Sequence, residues 1–236
     1  MSIRLFVPDG LHAGAAFALG AGQAHYLGAV MRRAAGDEVL LFNGRDGEWS
    51  ARLEGVRKDK AGVTVLEQMR PQAPEPDVWL AFAPLKRDAT DLVVEKATEL
   101  GSAVIIPVMT ERTNAARVNV ERLRAIATEA AEQCERLTVP EVRAPVTLEA
   151  LDSGWPAERM LVVAMERAGA DLLGPEVRRG DAVGLLVGPE GGFSGLDRAL
   201  VMSCPAAQPV SLGPRILRAE TAAIVGLALL QAGGSE

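Results

Sequence analysis

The sequence has few of the residues from which metal sites and disulfide frameworks are built. It contains two cysteines, Cys134 and Cys204, and two histidines, His12 and His25. One cysteine pair cannot form a disulfide framework or a cysteine zinc site, and two histidines do not make a metal cluster. We therefore predict a protein that holds no metal.

Long apolar runs are also missing. The longest apolar segments, such as Ala222–Leu230, are too short to cross a bilayer, which takes about 20 apolar residues. No N-terminal stretch pairs basic residues with an apolar run, so no signal peptide is indicated. We expect a cytoplasmic protein without a membrane partner.

An excess of positive charge is missing as well. The formal net charge is −6, which argues against a protein that coats nucleic acid through bulk electrostatics. The charge is uneven, because residues 1–70 contain nine basic and eight acidic residues and the remainder has a net charge of −7. An enzyme that engages RNA through a local patch is compatible with this distribution, and residues 1–70 are the better electrostatic candidate for RNA.

Residues 71–77 contain three prolines, which cannot lie inside a helix or a central strand. We place a linker there, between domains 1–70 and 78–236. In the first domain, short apolar runs alternate with turn signals around one short helix over Ala24–Arg33, a pattern typical of a small β-barrel. The runs are Ile3–Val7, Val39–Phe42 and Val63–Leu66.

The second domain alternates continuous apolar runs with helical patterns, which indicates a parallel sheet covered on both sides. One helix is predicted from Asp88, as N-cap, to Leu100, and another begins at Asn119 with an apolar face that reaches Leu137. A last helix over Glu220–Gln231 is apolar on nearly every face, so we expect it to be buried in the core or against a second subunit. The predicted strands are Val78–Ala83, Ala103–Met109, Met160–Met165, Ala182–Val187 and Pro209–Leu212.

Two loops rich in glycine and proline carry the chemical signal. Residues 186–194 leave a predicted strand, and Ser194 with Asp197 then predicts a helix start. Residues 211–221 leave another strand and also enter a helix. Neither loop is a dinucleotide-binding motif or a P-loop, and the first could be a tight turn without a ligand. Two loops without a phosphate-binding lysine suit an adenosine-type ligand better than a triphosphate.

The two loops, Leu-Val-Gly-Pro-Glu-Gly-Gly-Phe-Ser (186–194) and Leu-Gly-Pro-Arg-Ile-Leu-Arg-Ala-Glu-Thr-Ala (212–222), closely resemble the RsmE family of 16S ribosomal RNA uridine N3-methyltransferases, in the SPOUT superfamily. Further similar segments occur in order along nearly the whole chain. They are Lys96–Gly101, Glu111-Arg112, Glu132–Cys134 with Arg136, Val139–Glu141, His25 with Val30–Arg32, and Leu41–Gly44.

The resemblance implies a PUA-like β-barrel followed by a trefoil-knotted α/β methyltransferase domain that forms a homodimer. It also implies S-adenosylmethionine as the cofactor and 16S rRNA or the small ribosomal subunit as the partner. The predicted cofactor-binding residues are Met165, Glu166, Leu186, Val187, Gly188, Pro189, Glu190, Gly191, Gly192, Leu212, Gly213, Pro214, Ile216 and Leu217.

Methylation at N3 removes a proton from uracil and leaves negative charge on N3 and the flanking oxygens. Arg215 and Arg218, beside the second loop, and then Arg136 are candidates to stabilise that charge. Glu220 is a candidate to take the proton or to orient an arginine. Structural roles compete with each of these, since Glu220 suits a helix N-terminus and can pair with Arg218, and Arg136 lies four residues after Glu132.

Seven basic residues are candidates for contact with RNA phosphates, although each could be an ordinary surface charge. They are Arg4, Arg32, Arg33, Arg45, Lys86, Arg87 and Arg112. Two other functions stay open, namely methylation of a ribose 2′-hydroxyl and a non-catalytic RNA-binding adaptor.

Overall fold

The computed structural model describes residues 2–57, 59–114, 117–165, 171–173 and 182–232. The chain divides into two compact units, and the first crossing between them, after Pro74, falls within the proline-rich stretch 71–77. The first unit also includes Ala131–Val139, a grouping for which the sequence analysis found no signal.

The first unit is built on a five-stranded sheet with the order β1-β3-β4-β5-β2. Strands β1 and β3 are parallel, and the other pairs are antiparallel. Apolar runs were predicted within three of these strands. Strand β2 was not predicted, and it is only three residues long. The full length of the β4–β5 hairpin was not predicted either, because charged residues interrupt its strands. The strands are β1 (Arg4–Phe6), β2 (Ala16–Ala18), β3 (Glu38–Phe42), β4 (Glu48–Arg57) and β5 (Lys60–Arg70).

The short helix of the first unit begins earlier and ends sooner than predicted. Helix α1 (Ala21–His25) continues into a π-helical turn, Tyr26–Val30. The side chain of Gln23 accepts a hydrogen bond from the backbone N–H of Gly20, which explains the earlier start. Arg32 has a φ of 52°, in the left-handed region, and the helix does not extend past it.

Arg4 fastens the segment Ala131–Val139 into the first unit. Its guanidinium donates to Glu48 Oε1 at 2.6 Å and to the carbonyl oxygens of Ala131, Glu132 and Arg136 at 2.8–2.9 Å. The Arg4 side chain is only 5% exposed. The prediction that Arg4 contacts an RNA phosphate is therefore wrong, because its donors are used inside the fold.

The second unit contains a sheet in which every pair of strands is parallel. The order is β12-β10-β11-β6-β7-β8, and β9 also pairs with β7. The carboxyl ends of these strands therefore share one edge, and the parallel sheet predicted from the continuous apolar runs is confirmed. The strands are β6 (Val78–Phe82), β7 (Ser102–Met109), β8 (Glu141–Val142), β9 (Val146–Thr147), β10 (Met160–Ala164), β11 (Val183–Val187) and β12 (Ala207–Val210).

Five further helices follow in the chain, and two details of their predicted bounds are wrong. Lys86, not Asp88, occupies the N-cap position of α2, since its ψ of 150° is extended and Asp88 already lies in the first turn. Leu137 lies beyond α3, where Glu135 has a φ of 65°. Helix α4 was not predicted. The helices are α2 (Arg87–Glu99), α3 (Val120–Gln133), α4 (Leu148–Gly154), α5 (Gly195–Ser203) and α6 (Ala219–Ala232).

Helix α6 is buried on one side only within a single chain. Leu227 and Leu230 are 0% and 2% exposed, whereas Leu229 is 42% exposed. The trefoil knot stays a prediction with which the parallel strand order is consistent. None of the helices in the described ranges has the length and apolar character needed to span a bilayer.

Candidate functional site

A cleft of about 380 Å³ opens where β10, β11 and β12 end. The two loops singled out in the sequence form most of it, and residues 164–165, Arg198 of α5 and helix α6 complete the lining. Every lining residue belongs to the second unit. The parallel sheet thus brings together two loops that lie about twenty residues apart in the chain, as expected for strand ends on one edge.

The first loop depends on glycine at two positions. Gly192 has a φ of 66°, and its N–H donates to the carbonyl of Pro189 at 2.8 Å, which closes a tight turn. A Cβ at Gly188 would lie 3.0 Å from the ring of the buried Phe193. Ser194 and Asp197 form the predicted capping box at the start of α5. The loop is therefore held at both ends while its backbone lines the cleft.

The second loop turns at Gly213, whose φ of 123° a side chain would strain. The Ser211 hydroxyl accepts a hydrogen bond from Gly213 N–H at 3.3 Å and donates one to Gly213 O at 3.2 Å. Within the described part of the chain, the backbone N–H groups of Ile216 and Leu217 donate no hydrogen bond. These two groups can be satisfied by an acceptor on a ligand.

Most of the predicted cofactor-binding residues line this cleft. Leu186 does not, because it is buried within β11, and Gly191 is exposed with its carbonyl bound to Arg112. Glu166 lies outside the described residues. Those that line it are Met165, Val187, Gly188, Pro189, Glu190, Gly192, Leu212, Gly213, Pro214, Ile216 and Leu217.

Several residues that line the cleft were not predicted from the sequence. Arg198 is the most consequential, because it adds an exposed positive charge to the cleft from the first turns of α5. Its position four residues after the predicted N-cap, Ser194, was a usable signal, since residues in the first turns of a helix lie next to the loop that precedes it. The others are Ala164, Phe193, Ser211, Ala219 and Ala222.

The lining fits an adenosine-containing cofactor. Its volume falls in the range of small-molecule sites, and apolar side chains such as Met165, Val187 and Ile216 alternate with backbone groups. No atom lies within 4 Å of the position that a Cβ would take at Gly213, so the missing side chain leaves the backbone of this wall open to a flat ring system. The described residues include no group of His, Cys, Asp or Glu side chains able to hold a metal ion.

The four predicted catalytic residues occupy different positions. Arg215 lines the cleft and is exposed. Arg218 is 86% exposed and lies 4.0 Å from the Glu220 carboxylate, which is 18% exposed; neither lines the cleft. Arg136 belongs to the first unit, where its guanidinium donates to Thr138 Oγ1 at 3.0 Å.

The predicted RNA contacts other than Arg4 differ in whether another described residue already binds their side chains. Arg45 donates to the carbonyl of Pro8, and Arg33 lies 4.0 Å from Asp37. Arg112 donates to the carbonyl of Gly191 in the first loop at 2.9 Å. Three more are exposed and make no ion pair with a described residue: Arg32, Lys86 and Arg87.

Comparison with known proteins matches two family models. Residues 72–231 match the RNA methyltransferase domain, and residues 19–66 match the RNA methyltransferase PUA domain.

A ribosomal RNA small subunit methyltransferase E of Rickettsia conorii is 34% identical over 89% of this chain and 87% of its own length. The Synechocystis protein of that name is 34% identical over 98% of this chain and 78% of its own. A Neisseria gonorrhoeae ribosomal RNA small subunit methyltransferase E, solved with S-adenosyl methionine bound, superposes with a TM-score of 0.88 at 29% identity, covering 98% of this chain and 97% of that one.

Proposed function

The chain belongs to the RNA methyltransferase family, and from this membership we propose that it transfers the methyl group of S-adenosylmethionine to N3 of a uridine in 16S ribosomal RNA. The name shared by the Rickettsia and Synechocystis relatives supports small-subunit rRNA as the substrate. Uridine N3 as the methylated atom rests on the resemblance of the two loops.

The cleft at the ends of β10, β11 and β12 carries the proposal. A relative that covers nearly the whole chain binds S-adenosyl methionine, and the loops of this chain form a cleft of suitable size and lining. Residues 187–190, 192 and 212–217 would hold the cofactor largely through backbone groups. When bound, the cofactor supplies a methyl group that is already reactive, so the protein mainly has to position it.

The chain's own residues must then expose and stabilise the base. N3 of a paired or stacked uracil is hidden, so the target nucleotide has to be unpaired or flipped. Loss of the N3 proton leaves negative charge on the uracil, and Arg215, the predicted catalytic arginine that lines the cleft, is positioned to stabilise it. Glu220 lies 4.0 Å from Arg218, and its proposed part is to orient that arginine, while the N3 proton passes to solvent water or to Glu220 itself. Arg136 is kept as a third candidate on the resemblance alone.

Transfer of labelled methyl to rRNA from cells that lack this gene tests the proposal. We expect label in 3-methyluridine after nucleoside analysis. Label in a 2′-O-methylated nucleoside would instead assign the enzyme to ribose methylation. If the protein binds RNA but calorimetry detects no binding of S-adenosylmethionine, the function is that of a non-catalytic RNA-binding adaptor.

We also propose that the protein is a cytoplasmic homodimer. Within one chain, helix α6 leaves Ala228 and Leu229 exposed although the helix carries no charged residue after Glu220. Burial of this apolar face against a second copy would remove it from water.

A further inference from the structure

A second cleft, here called the basic cleft, lies where β6 and β7 end. It encloses about 450 Å³, and its lining comes from the loop after β6, the start of α2, the loop after β7 and the start of α3. The lining residues are 84–87, 90–91, 114, 117–119 and 122–123. The lining belongs to the second unit. The cleft of about 380 Å³ at the ends of β10, β11 and β12, here called the adenosine-type cleft, shares none of these residues.

Positive charge dominates the basic cleft. Lys86, Arg87, Arg117 and Arg122 line it, and Asp91 is the one carboxylate among the lining residues. Asp91 is already bound by Arg122, whose Nε lies 3.1 Å from Asp91 Oδ1. The other three cations are exposed and make no ion pair with any residue that the structure describes. They are available to an anion from outside the chain.

The walls of the basic cleft are fixed by hydrogen bonds. The buried Thr90 accepts from the N–H of Leu85 at 2.9 Å and donates to the carbonyl of Leu85 at 3.1 Å, which holds the loop after β6. Asn119 accepts from the N–H of Arg122 at 3.1 Å at the start of α3. The backbone beside Lys86, Arg87 and Arg122 is therefore held in place before any ligand arrives.

The basic cleft and the adenosine-type cleft lie side by side along one sheet edge. Strand β6, which ends at the basic cleft, pairs directly with β11, which ends at the other, and paired strands are about 4.8 Å apart. The loop after β7 contacts both sides. It contributes Asn114 and Arg117 to the basic cleft, while Arg112 donates to Gly191 in the glycine loop.

We propose that the basic cleft binds a backbone phosphate of the RNA strand that carries the target nucleotide, an assignment that rests on the proposed function. Arginine and lysine side chains are the usual partners of RNA phosphates, and three unpaired cations match that ligand. Because the two clefts adjoin, one strand can place its base at the first and a flanking phosphate at the second. The contact fixes the register of the RNA without reading its sequence.

Fluorescence anisotropy with the full chain and a labelled single-stranded RNA of 16S sequence tests the assignment. For Arg87→Gln and Arg117→Gln we expect Kd to rise about five-fold, and the slope of log affinity against log salt to fall by about 0.7 for each lost contact. Arg124→Gln is the matched control, because Arg124 is an exposed arginine of α3 outside the cleft. It should leave both values unchanged.

Kinetics with the same variants separate this assignment from the proposed function. We expect KM for RNA to rise in Arg87→Gln and Arg117→Gln, with kcat and the affinity for S-adenosylmethionine unchanged. If both variants transfer methyl with an unchanged KM for RNA, the assignment of the basic cleft as a phosphate site is overturned and the proposed function is unaffected. If the unmodified chain transfers no methyl to rRNA but both variants still weaken RNA binding, the proposed function fails and the cleft's role in RNA binding survives. Inorganic phosphate, added as a competitor, should also weaken RNA binding. If all variants bind RNA with equal affinity and phosphate does not change that affinity, the assignment is overturned.

Discussion

Individual side chains in this protein owe their roles to partners far away in the sequence. Glu48 is 5% exposed and is bound by Arg4 and by Arg70, 44 and 22 residues away. Burial opposes its charge, but hydrogen bonds from Arg70 and Arg4 outweigh burial and lower the pKa of its carboxyl. No local sequence pattern reveals a partner at such a distance, and for this reason Arg4 was wrongly predicted to contact RNA.

Replacing Glu48 with glutamine should lower the free energy of unfolding by about 3 kcal/mol at pH 7, because the buried Arg4 and the partly exposed Arg70 lose their counter-charge. The pKa is lowered in the folded state, so the stabilisation is present above the usual value of 4.5 and is lost as pH falls through the folded value. Urea unfolding from pH 7 down to pH 3 should therefore show the two proteins converging in acid.

Glu38→Gln is the control for Glu48→Gln. Glu38 pairs with Arg52 at 3.8 Å, but both side chains are more than half exposed. Such a surface pair contributes about 0–1 kcal/mol. Equal losses of stability in the two variants would contradict the role given to Glu48.

Arg215 and Arg218 provide a second test at single residues. Arg215 lines the adenosine-type cleft and Arg218 is 86% exposed outside its lining. Arg215→Gln should lower kcat for methyl transfer by about 10²–10³-fold, the cost of removing one group that stabilises developing charge. Arg218→Gln should lower it less than ten-fold. The reverse order in single-turnover assays would move the catalytic role to Arg218.

At the scale of elements, the loops were the most predictable part of the site. Glycine and proline at 188–192 and 213–214 specify turns locally, and Ser194 with Asp197 marks the start of α5, so local sequence was sufficient. Helix α4 and the long β4–β5 hairpin were missed. The hairpin residues are mixed in polarity and become ordered by packing against neighbouring strands, which no short window of sequence contains. Helix α4 did carry a local signal, because its N-cap Thr147 accepts a hydrogen bond from the N–H of Ala150.

Gly213→Ala tests the second loop. With a φ of 123° at this position, alanine would strain the turn by roughly 1–3 kcal/mol, and the loop should relax away from its cofactor-binding shape. We expect the affinity for S-adenosylmethionine, measured by calorimetry, to fall about ten-fold or more. Gly195→Ala should leave it unchanged, since nothing lies within 4 Å of the added methyl group. An unaltered affinity in Gly213→Ala would exclude this loop from the cofactor site.

At the scale of the whole molecule, the sequence predicted a parallel sheet and a β-rich N-terminal unit, because apolar runs of the right length are visible directly. That Ala131–Val139 packs with the first unit could not be predicted from the sequence. Its cause is a set of contacts such as Arg4 with the carbonyl of Ala131, which join residues 127 positions apart.

The proposed dimer is also testable at this scale. Light scattering should give about twice the chain mass of 24.9 kDa. Leu229→Arg, on the exposed face of α6, should shift the mass toward the monomer, because a charge would be buried in an apolar contact. Met69→Arg, at an exposed apolar residue of the first unit, should not. If the unmodified protein scatters light as a monodisperse species with the mass of one chain, the proposed dimer is contradicted.

The contribution of Ala131–Val139 to the first unit bears on how the protein is synthesised. When Pro74 leaves the ribosome, Phe42 still lacks Ala131 and Leu137, its partners in the core, and Arg4 lacks three of its carbonyl acceptors. At about 5–20 residues per second, translation of the missing stretch takes on the order of 3–13 s. The N-terminal unit therefore stays incomplete until residues 131–139 have been synthesised. A nascent peptide released at residue 74 would leave Phe42 and Arg4 without these partners and accessible to chaperones and proteases.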